Sequence, residues 1–546
     1  MAPSGRSVPP LAAPTTTASQ ADLAVPAGFA LAGADGLPST PDDVARILAD
    51  SLMRDMSDVV DDAWSVRGFV NLRLTNSALW SAVAGLGERS GLAAATQSGD
   101  VGSAVRGRVL IDAGSPNMGK ILHVGHMRSY IFGAALEGLH RLAGANAVDV
   151  VSHEGDFGTP MGITLAQLGP APVLRKPGSE DRDALGAVSQ AYADGKRRLD
   201  AGDAAFGEAV QATTLRLQHA LVARARLAEL DTSERALLTV YDEVCGVSRR
   251  VIDSLMSTRL GLGSERRPES SYAAMLPDLV EKLKQVEGAR EEDGGGWGIE
   301  TSGFAAPFLF SKANGGYLYA TTDVAALATR LAASPRYSRM VYVTDGSQAQ
   351  HFAQLFAVSS KASQVLGGSV EGLELRHASF GMVRASPGSG KLSSRAGVQF
   401  EFQLEALLDA AEKAATASLQ SGDDPRRLAV AALKYYDLLR PRGYVLDFDD
   451  MVKSTGKTAV YVLYARARAL SLLAKAEREP VKLFDGAAPA LDGPSRQLAL
   501  ALLGMPAAVR SAASACAPHT LAGALHNLAG EFHTWYSAVR VVGSPR

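Results

Sequence analysis

His123-Val-Gly-His126 has the residue types and spacing to stabilise a reacting phosphate. The four residues follow a turn-forming Ser115-Pro-Asn117 and open a stretch of helical periodicity, which puts them at a helix N-terminus. A helix start offers unpaired backbone N–H groups and the positive end of a dipole, where a triphosphate can rest if no bulky side chain intervenes. Gly125 leaves that room, and the two imidazoles can donate to phosphate oxygens as charge develops. This is electrostatic stabilisation and needs no covalent intermediate. The plainer alternative is a pair of capping or core histidines, and the strand–loop–helix setting weighs against it. A second basic element, Lys391-Leu-Ser-Ser-Arg395, follows the run Ser386-Pro-Gly-Ser-Gly390 and precedes a helix. A flexible basic loop there can close over a leaving pyrophosphate, with Lys391, Ser393 and Arg395 as its contacts.

The elements that must position these groups are legible in the pattern. A β-branched strand from Val105 to Asp112, a Gly-Ser-Pro-Asn loop, a helix from about Val124 to Leu142 and a strand from Ala147 to Ser152 form a unit of the length a parallel crossover requires. Ahead of it, Val44, Ile47, Leu48 and Leu52 recur at helical spacing and Phe69 to Leu74 alternates as a strand, which predicts a small α+β domain over residues 21–105. Residues 180–260 are Ala-rich and charged with helical periodicity, and predict an inserted helical subdomain. Gly294 to Gly298 punctuates the return to the sheet, and Tyr342 to Thr344 and Leu373 to Phe380 predict later strands. Everything after about Glu405 predicts helix, a bundle over residues 405–546.

Composition bounds the function. With 546 residues, 47% hydrophobic and 21% charged, two or more domains are expected. Lysine plus arginine (55) nearly balances aspartate plus glutamate (57), so the net charge of -2 excludes a basic nucleic-acid coat and leaves any polyanion to a local patch. Cys245 and Cys516 stand far apart, which excludes a disulfide framework, a four-cysteine zinc site and an iron–sulfur cluster, and points to a reducing compartment. No stretch approaches the roughly 18 uninterrupted apolar residues of a membrane helix, so no membrane partner is expected. Residues 1–20, rich in Pro, Ala, Ser and Thr with the single charge Arg6, are expected to form a disordered tail. The absence of acids there also suits an organellar transit peptide, for which one arginine is poor support.

With the histidine pair and the later lysine loop in hand, the chain resembles a class I aminoacyl-tRNA synthetase. Ser394 stands where the general pattern has a second lysine, a departure shared by arginyl-tRNA synthetases, in which a lysine just upstream of the histidines supplies the charge; Lys120 occupies that place. Val109-Leu-Ile-Asp-Ala-Gly-Ser-Pro-Asn-Met-Gly-Lys120 is similar to that family's V-x-x-D/E-x-S-S-P-N-x-A-K, and His153-Glu-Gly-Asp-Phe-Gly158 to its H-x-G-D-W-G. Ser271-Tyr, Met275-Leu-Pro-Asp278, Tyr317-Leu-Tyr-Ala-Thr-Thr-Asp323, Gln348, His351-Phe and Gln354-Leu-Phe356 follow in the family's order.

The resemblance implies a Rossmann-like parallel-sheet α/β catalytic core over residues 106–404 carrying the helical insertion, a small N-terminal α+β domain that meets the elbow of tRNA, and a C-terminal all-α anticodon-binding bundle. It implies ligation of L-arginine to tRNA(Arg) at the expense of ATP with Mg2+, by a monomer in the cytoplasm or, through the tail, in an organelle. His123, Gly125, His126, Lys391 and Ser393 would bind ATP, with Lys120 and Arg395 assisting the transfer. Asp112, Ser115, Asn117, Tyr319, Asp323 and Gln348 would hold arginine. The charge logic agrees, because a five-donor guanidinium needs carboxylates and carbonyl-type acceptors aimed at it. No resident metal site is implied.

In the bundle, Tyr461, Tyr464 and Arg468 would meet tRNA, the rings stacking on unstacked bases and the cation facing phosphate, although tyrosines at helical spacing are as often core. Lys457-Thr-Ala-Val-Tyr-Val-Leu-Tyr-Ala465 replaces N-T-A-P-Y-x-Q-Y-A, and the chain stops at Arg546, before an expected last helix. Both departures keep open a divergent paralogue that binds arginine or tRNA without charging it. A different nucleotidyl transferase with the same histidine motif is a third reading that the pocket residues disfavour.

Overall fold

The computed structural model describes residues 21–541 apart from 35, 89, 171, 173, 175–177, 225–228, 385–402, 420–423, 479–489 and 492. The described residues fall into two compact units. One gathers the chain up to Gly99 with Tyr461–Arg510 and the residues from Gly523 onward; the other is Asp100–Val460 with Ser511–Ala522.

The first unit holds the antiparallel strands β1 (Leu23–Val25), β2 (Val60–Val66) and β3 (Phe69–Leu74) in the order β1-β3-β2. Arg67 and Gly68 both have positive φ, 47° and 78°, the two-residue hairpin geometry that matches the twist of the strands they join. The helix Pro41–Asp55 starts on a proline with Asp42 and Asp43 in its first turn, and buries Ala45 and Ala49 against Val70. Asp22, buried at the sheet edge, receives Arg496 from the helix Gly493–Ala515, Nε to Oδ1 at 2.8 Å. The same guanidinium donates to Leu74 O and Asn76 Oδ1. By length and composition alone this helix could cross a membrane. Its charges are spent on protein partners instead, since Arg510 donates to Ala95 O and packs against Gly99, where a Cβ would stand 2.5 Å from the guanidinium carbon.

In chain order the strands of the second unit are β4 (Arg108–Ala113), β5 (Ala147–Ser152), β6 (Glu265–Arg266), β7 (Ala289–Glu291), β8 (Trp297–Ile299), β9 (Phe308–Ser311), β10 (Tyr337–Val343), β11 (Glu374–His377), β12 (Val383–Arg384) and β13 (Tyr444–Val445). A parallel sheet runs β11-β10-β4-β5-β6, and β7-β8-β9 form a small antiparallel one. Val109 to Ala113 and Arg339 to Val343 are buried without alternation, as a parallel sheet covered on both faces demands. The helix Val124–Leu142 crosses from β4 to β5 and lies so close to β4 that a Cβ on Gly133 would stand 2.5 Å from that of Ala113. Between β5 and β6 the helices Asp181–Asp200, Ala204–Val222 and Thr232–Ile252 form the insertion. The chain leaves β4 towards β5 and leaves β10 towards β11, in opposite directions, so a crevice opens at the carboxyl ends of β4 and β10.

Three expectations move. The first parallel strand starts at Arg108 because Ser103–Arg106 is a helical turn, and the later strand is confined to Glu374–His377. The region after Glu405 is not all helix. Pro441 and Gly443 follow the end of the helix Pro425–Leu438, and Tyr444–Val445 pairs in parallel with Val383–Arg384.

Candidate active site

The crevice contains two adjoining cavities. The larger, about 450 Å³, is lined by Gly114, His123, Val124, Gly125, His126, Arg128 and Ser129 on one side and by Val343 to Asp345 and Phe380 to Val383 on the other. The smaller, about 240 Å³, is lined by Asp112, His153, Gly155, Glu269, Tyr319, Asp323, Tyr342, His351 and Phe352. Ser115, Asn117, Thr344 and Gln348 line both. Thus Asp112, Ser115, Asn117, Tyr319, Asp323 and Gln348 converge on the smaller cavity, and His123, Gly125 and His126 on the larger.

The turn after β4 makes this convergence possible. Gly114 and Ser115 both take positive φ, 99° and 41°, and a Cβ on Gly114 would stand 2.4 Å from the ring of Tyr130. Left-handed backbone at a non-glycine residue is held only where its surroundings over-determine it. Here Ser115 N donates to Ser152 Oγ, Gly114 N to Ser129 Oγ, Gly155 N to Pro116 O and Met118 N to Gly155 O. The loop is thereby fastened to the end of β5, with Asp112 behind it and Asn117 in front.

The histidines differ from expectation. His123 N donates to His126 Nδ1 and Gly125 N to His123 Nδ1, both at 3.1 Å, while His126 N bonds His123 O. The N–H groups at 123, 125 and 126 are therefore already paired, those of 123 and 125 by imidazoles that fold back as caps and that of 126 by the His123 carbonyl. Capping and phosphate contact are not alternatives here. With Nδ1 accepting, the proton of each neutral ring sits on Nε2, which remains a donor. Burial first, then the adjoining His123 ring and the Lys120 charge, disfavour the His126 imidazolium and hold its pKa well below the usual range, so the ring is neutral. Gly125 is required for this arrangement, as a Cβ there would stand 2.9 Å from His123 Cε1.

The smaller cavity is built around carboxylates, each already given a partner. Asp112 Oδ2 receives Nη2 of the buried Arg330 at 2.6 Å, and its Oδ1 lies 3.4 Å from Ser115 Oγ. Asp323 accepts from His351 Nε2 at 2.7 Å, with His153 Nε2 3.4 Å away. Burial alone would raise the Asp323 pKa, but the His351 bond and the neighbouring His153, His351 and Arg330 charges keep it lowered. Glu269 goes the other way. Burial, then the Asp156 and Asp323 carboxylates, push it up to about 8 despite hydrogen bonds from Phe157 N and Thr322 Oγ. Tyr319, 61% exposed, lies at the rim with its ring 4.9 Å from that of His351. One ionised carboxylate, one poised to ionise and an aromatic rim suit a flat, multiply donating cation.

Glu269, His153, His351 and Arg330 are absent from the site residues predicted from sequence, though all but Arg330 lie in or beside segments that carry the resemblance, such as Ser271-Tyr and His351-Phe. Arg330 has no local signal, because 218 positions of sequence separate it from Asp112. Lys120 lines neither cavity. Its Nζ lies 4.0 Å from the ring centroid of Tyr192 on the insertion. Lys391, Ser393 and Arg395 lie outside the described residues. In the other unit, Tyr461, Tyr464 and Arg468 do come together: Arg468 donates to Tyr464 Oη at 2.9 Å and stands over the Tyr464 and Tyr536 rings, while Tyr461 packs edge-on to His533. Tyr464 is exposed and Tyr461 half-buried.

Residues 91–448 match the family described as tRNA synthetases class I (R), catalytic domain, and residues 462–546 match the DALR anticodon binding domain. The class is therefore that of the class I aminoacyl-tRNA synthetases. Among relatives, the arginine–tRNA ligase of Synechococcus sp. is 31% identical over 459 residues, 80% of this chain and 74% of the relative. That of Marinomonas sp. is 30% identical over 538 residues, 94% and 86%. The arginyl-tRNA synthetase structures of Thermus thermophilus (TM-score 0.69, 22% identity, 97% of this chain and 88% of that one) and Plasmodium falciparum (0.67, 20%, 92% and 86%) share the fold. The chain belongs to the arginine–tRNA ligase family.

Proposed function

We infer that the protein is an arginine–tRNA ligase that activates L-arginine with ATP and transfers it to the terminal ribose of tRNA(Arg). The observation that carries this reading is the pair of cavities sharing Ser115, Asn117, Thr344 and Gln348, one edged by neutral imidazole donors and the other by carboxylates. An arginine carboxylate at that shared wall stands beside an α-phosphate in the larger cavity. Its oxygen attacks phosphorus in line, the bond to the β-phosphate oxygen breaks, and pyrophosphate leaves with the electron pair. The Nε2–H groups of His123 and His126 meet the charge that develops, and Asp323 with Glu269 holds the guanidinium. A ribose hydroxyl of tRNA then takes the arginyl carbon, releasing AMP and a proton.

Lysine presents no fork to satisfy these acceptors, and a buried acceptor left unpaired costs about 1–3 kcal/mol, so selection is made at binding. Magnesium is proposed to arrive with the triphosphate, and no step is assigned to it. Lys120, Lys391 and Arg395 are the cations proposed to assist pyrophosphate departure. Residues 21–105 are assigned to tRNA elbow contact, 106–404 to catalysis and 405–546 to the anticodon, with Tyr461, Tyr464 and Arg468 facing it. The protein is proposed to act as a monomer, and the two free, buried cysteines fit a reducing, cytoplasm-like compartment. Arginine-dependent ATP–pyrophosphate exchange, with and without arginine tRNA and with lysine and canavanine as competitors, is the test. Exchange driven by arginine and not by lysine is expected; exchange indifferent to the amino acid would defeat the assignment.

A further inference from the structure

Arg128 stands two residues after His126 on the same helix, and its side chain is wholly buried, as is that of Asp437 on the helix Pro425–Leu438. Arg128 Nε meets Asp437 Oδ1 at 2.7 Å, and Tyr444 Oη donates to the same oxygen at 2.8 Å. Burial lifts the Asp437 carboxyl to about 6, with the Arg128 charge opposing it. An ion pair taken this far from water is stabilised only if its remaining protons are used. They are used on main chain: Arg128 donates to Gly381 O through Nη1 and to Arg440 O through Nη2 at 2.6 Å, with Arg442 O 3.4 Å from Nη1.

A second observation is independent of charge. Gly381 N donates to Pro441 O and Tyr444 N to Met382 O, and β12 pairs with β13. The two backbones approach so closely that a Cβ on Gly381 would stand 2.0 Å from Gly443 N, and one on Gly443 2.6 Å from Met382 O. Phe380 to Val383 is the wall of the larger cavity facing the histidines. Residues 440–445 are thus a splint behind that wall, and one guanidinium ties wall and splint to the histidine helix.

We propose that Arg128 is a positioning residue for the nucleotide, and that Asp437, from the helical half, is its counter-ion. Together they hold the Phe380–Val383 wall at the separation from His123 and His126 that ATP requires. This rests on the larger cavity being the ATP site. It assigns no contact with the reacting atoms to either residue; they act through the wall. Arginine, in the smaller cavity, is untouched by the tie.

Arg128→Lys keeps the charge opposite Asp437 but cannot reach three carbonyls at once. ATP affinity of the full chain, measured by calorimetry without arginine or tRNA, is expected to fall about tenfold in this variant, the loss of one charge-assisted hydrogen bond. In pyrophosphate exchange the KM for ATP should rise in step while the KM for arginine stays within about twofold. A milder change in the same direction is expected of Tyr444→Phe, which leaves no buried charge unpaired, and of Gly443→Ala, which pushes on Met382. These two decide the matter if Arg128→Lys shows no cooperative melt. ATP affinity equal to wild type in the folded variants overturns the proposal. So does a fall in kcat with both KM values unchanged, the mark of lost folded protein alone. If the wild type binds ATP but shows no arginine-dependent exchange, the ligase reading fails while the ATP titrations still decide the role of Arg128.

Discussion

At the scale of the residue, the site depends on partners that set each group's state. Asp323 is kept ionised by His351, and Glu269 is kept protonated by burial beside two other carboxylates. Asp323→Asn removes the permanent charge and is expected to weaken arginine about ten- to hundredfold, the range for a charged hydrogen bond, with ATP affinity little changed; calorimetry with each ligand checks it. Glu269 gives a pH signature whose sign is fixed. Its carboxyl titrates near 8 in the folded chain against a usual 4.5, so between those values the folded state retains a proton that the unfolded state has lost. Stability contributed by this group therefore declines as pH rises across that window. A guanidinium favours the carboxylate, so arginine affinity should climb from about pH 6 to about pH 8 and then level, with proton uptake by the buffer on binding. A flat profile with no proton release would show that Glu269 does not face the ligand.

At the scale of the element, the helix Val124–Leu142 is where sequence and site meet. Its start is fixed by side-chain caps from the same histidines that edge the cavity, and its seat on β4 by the absence of a side chain at Gly133. Gly133→Val would force helix and strand apart and is expected to cost about 1–3 kcal/mol, read from denaturant midpoints. Gly125→Ala acts differently. The added methyl displaces the His123 ring and should cut pyrophosphate exchange while the melting temperature stays near wild type, because the helix interior prefers alanine. Equal exchange in that variant would mean that the His123 ring does not serve the reaction.

At the scale of the whole molecule, the two units draw on different parts of the chain. The unit holding the N-terminal sheet is completed by residues more than 380 positions later, with Arg496 serving Asp22, Leu74 and Asn76. Arg496→Ala leaves Asp22 buried without its cation and is expected to destabilise this unit by about 3–5 kcal/mol, seen as earlier proteolytic cleavage in it than in the catalytic unit. In the catalytic unit, Arg339 and Arg376 from β10 and β11 donate to Ala513, Ser514 and Ala515 carbonyls, the negative end of a helix.

The crossover from β4 to β5 and the helix at Val124–Leu142 were legible in the letters, because periodicity and a helix start are local properties; the family resemblance added Asp112, Ser115, Asn117, Tyr319, Asp323 and Gln348 for the smaller cavity, and the motif gave His123, Gly125 and His126 for the larger. The sequence alone determined the order strand, loop, helix and strand at the start of the catalytic core and which side chains could serve chemistry. Tertiary structure alone decided the rest: that Asp112 is answered by Arg330, that Glu269 and His351 enter the same cavity as Asp323, and that a strand at Tyr444–Val445 interrupts the helical half. The physical reason is that a carboxylate's partner and its proton depend on burial and on charges brought near by distant segments, which no spacing along the chain encodes.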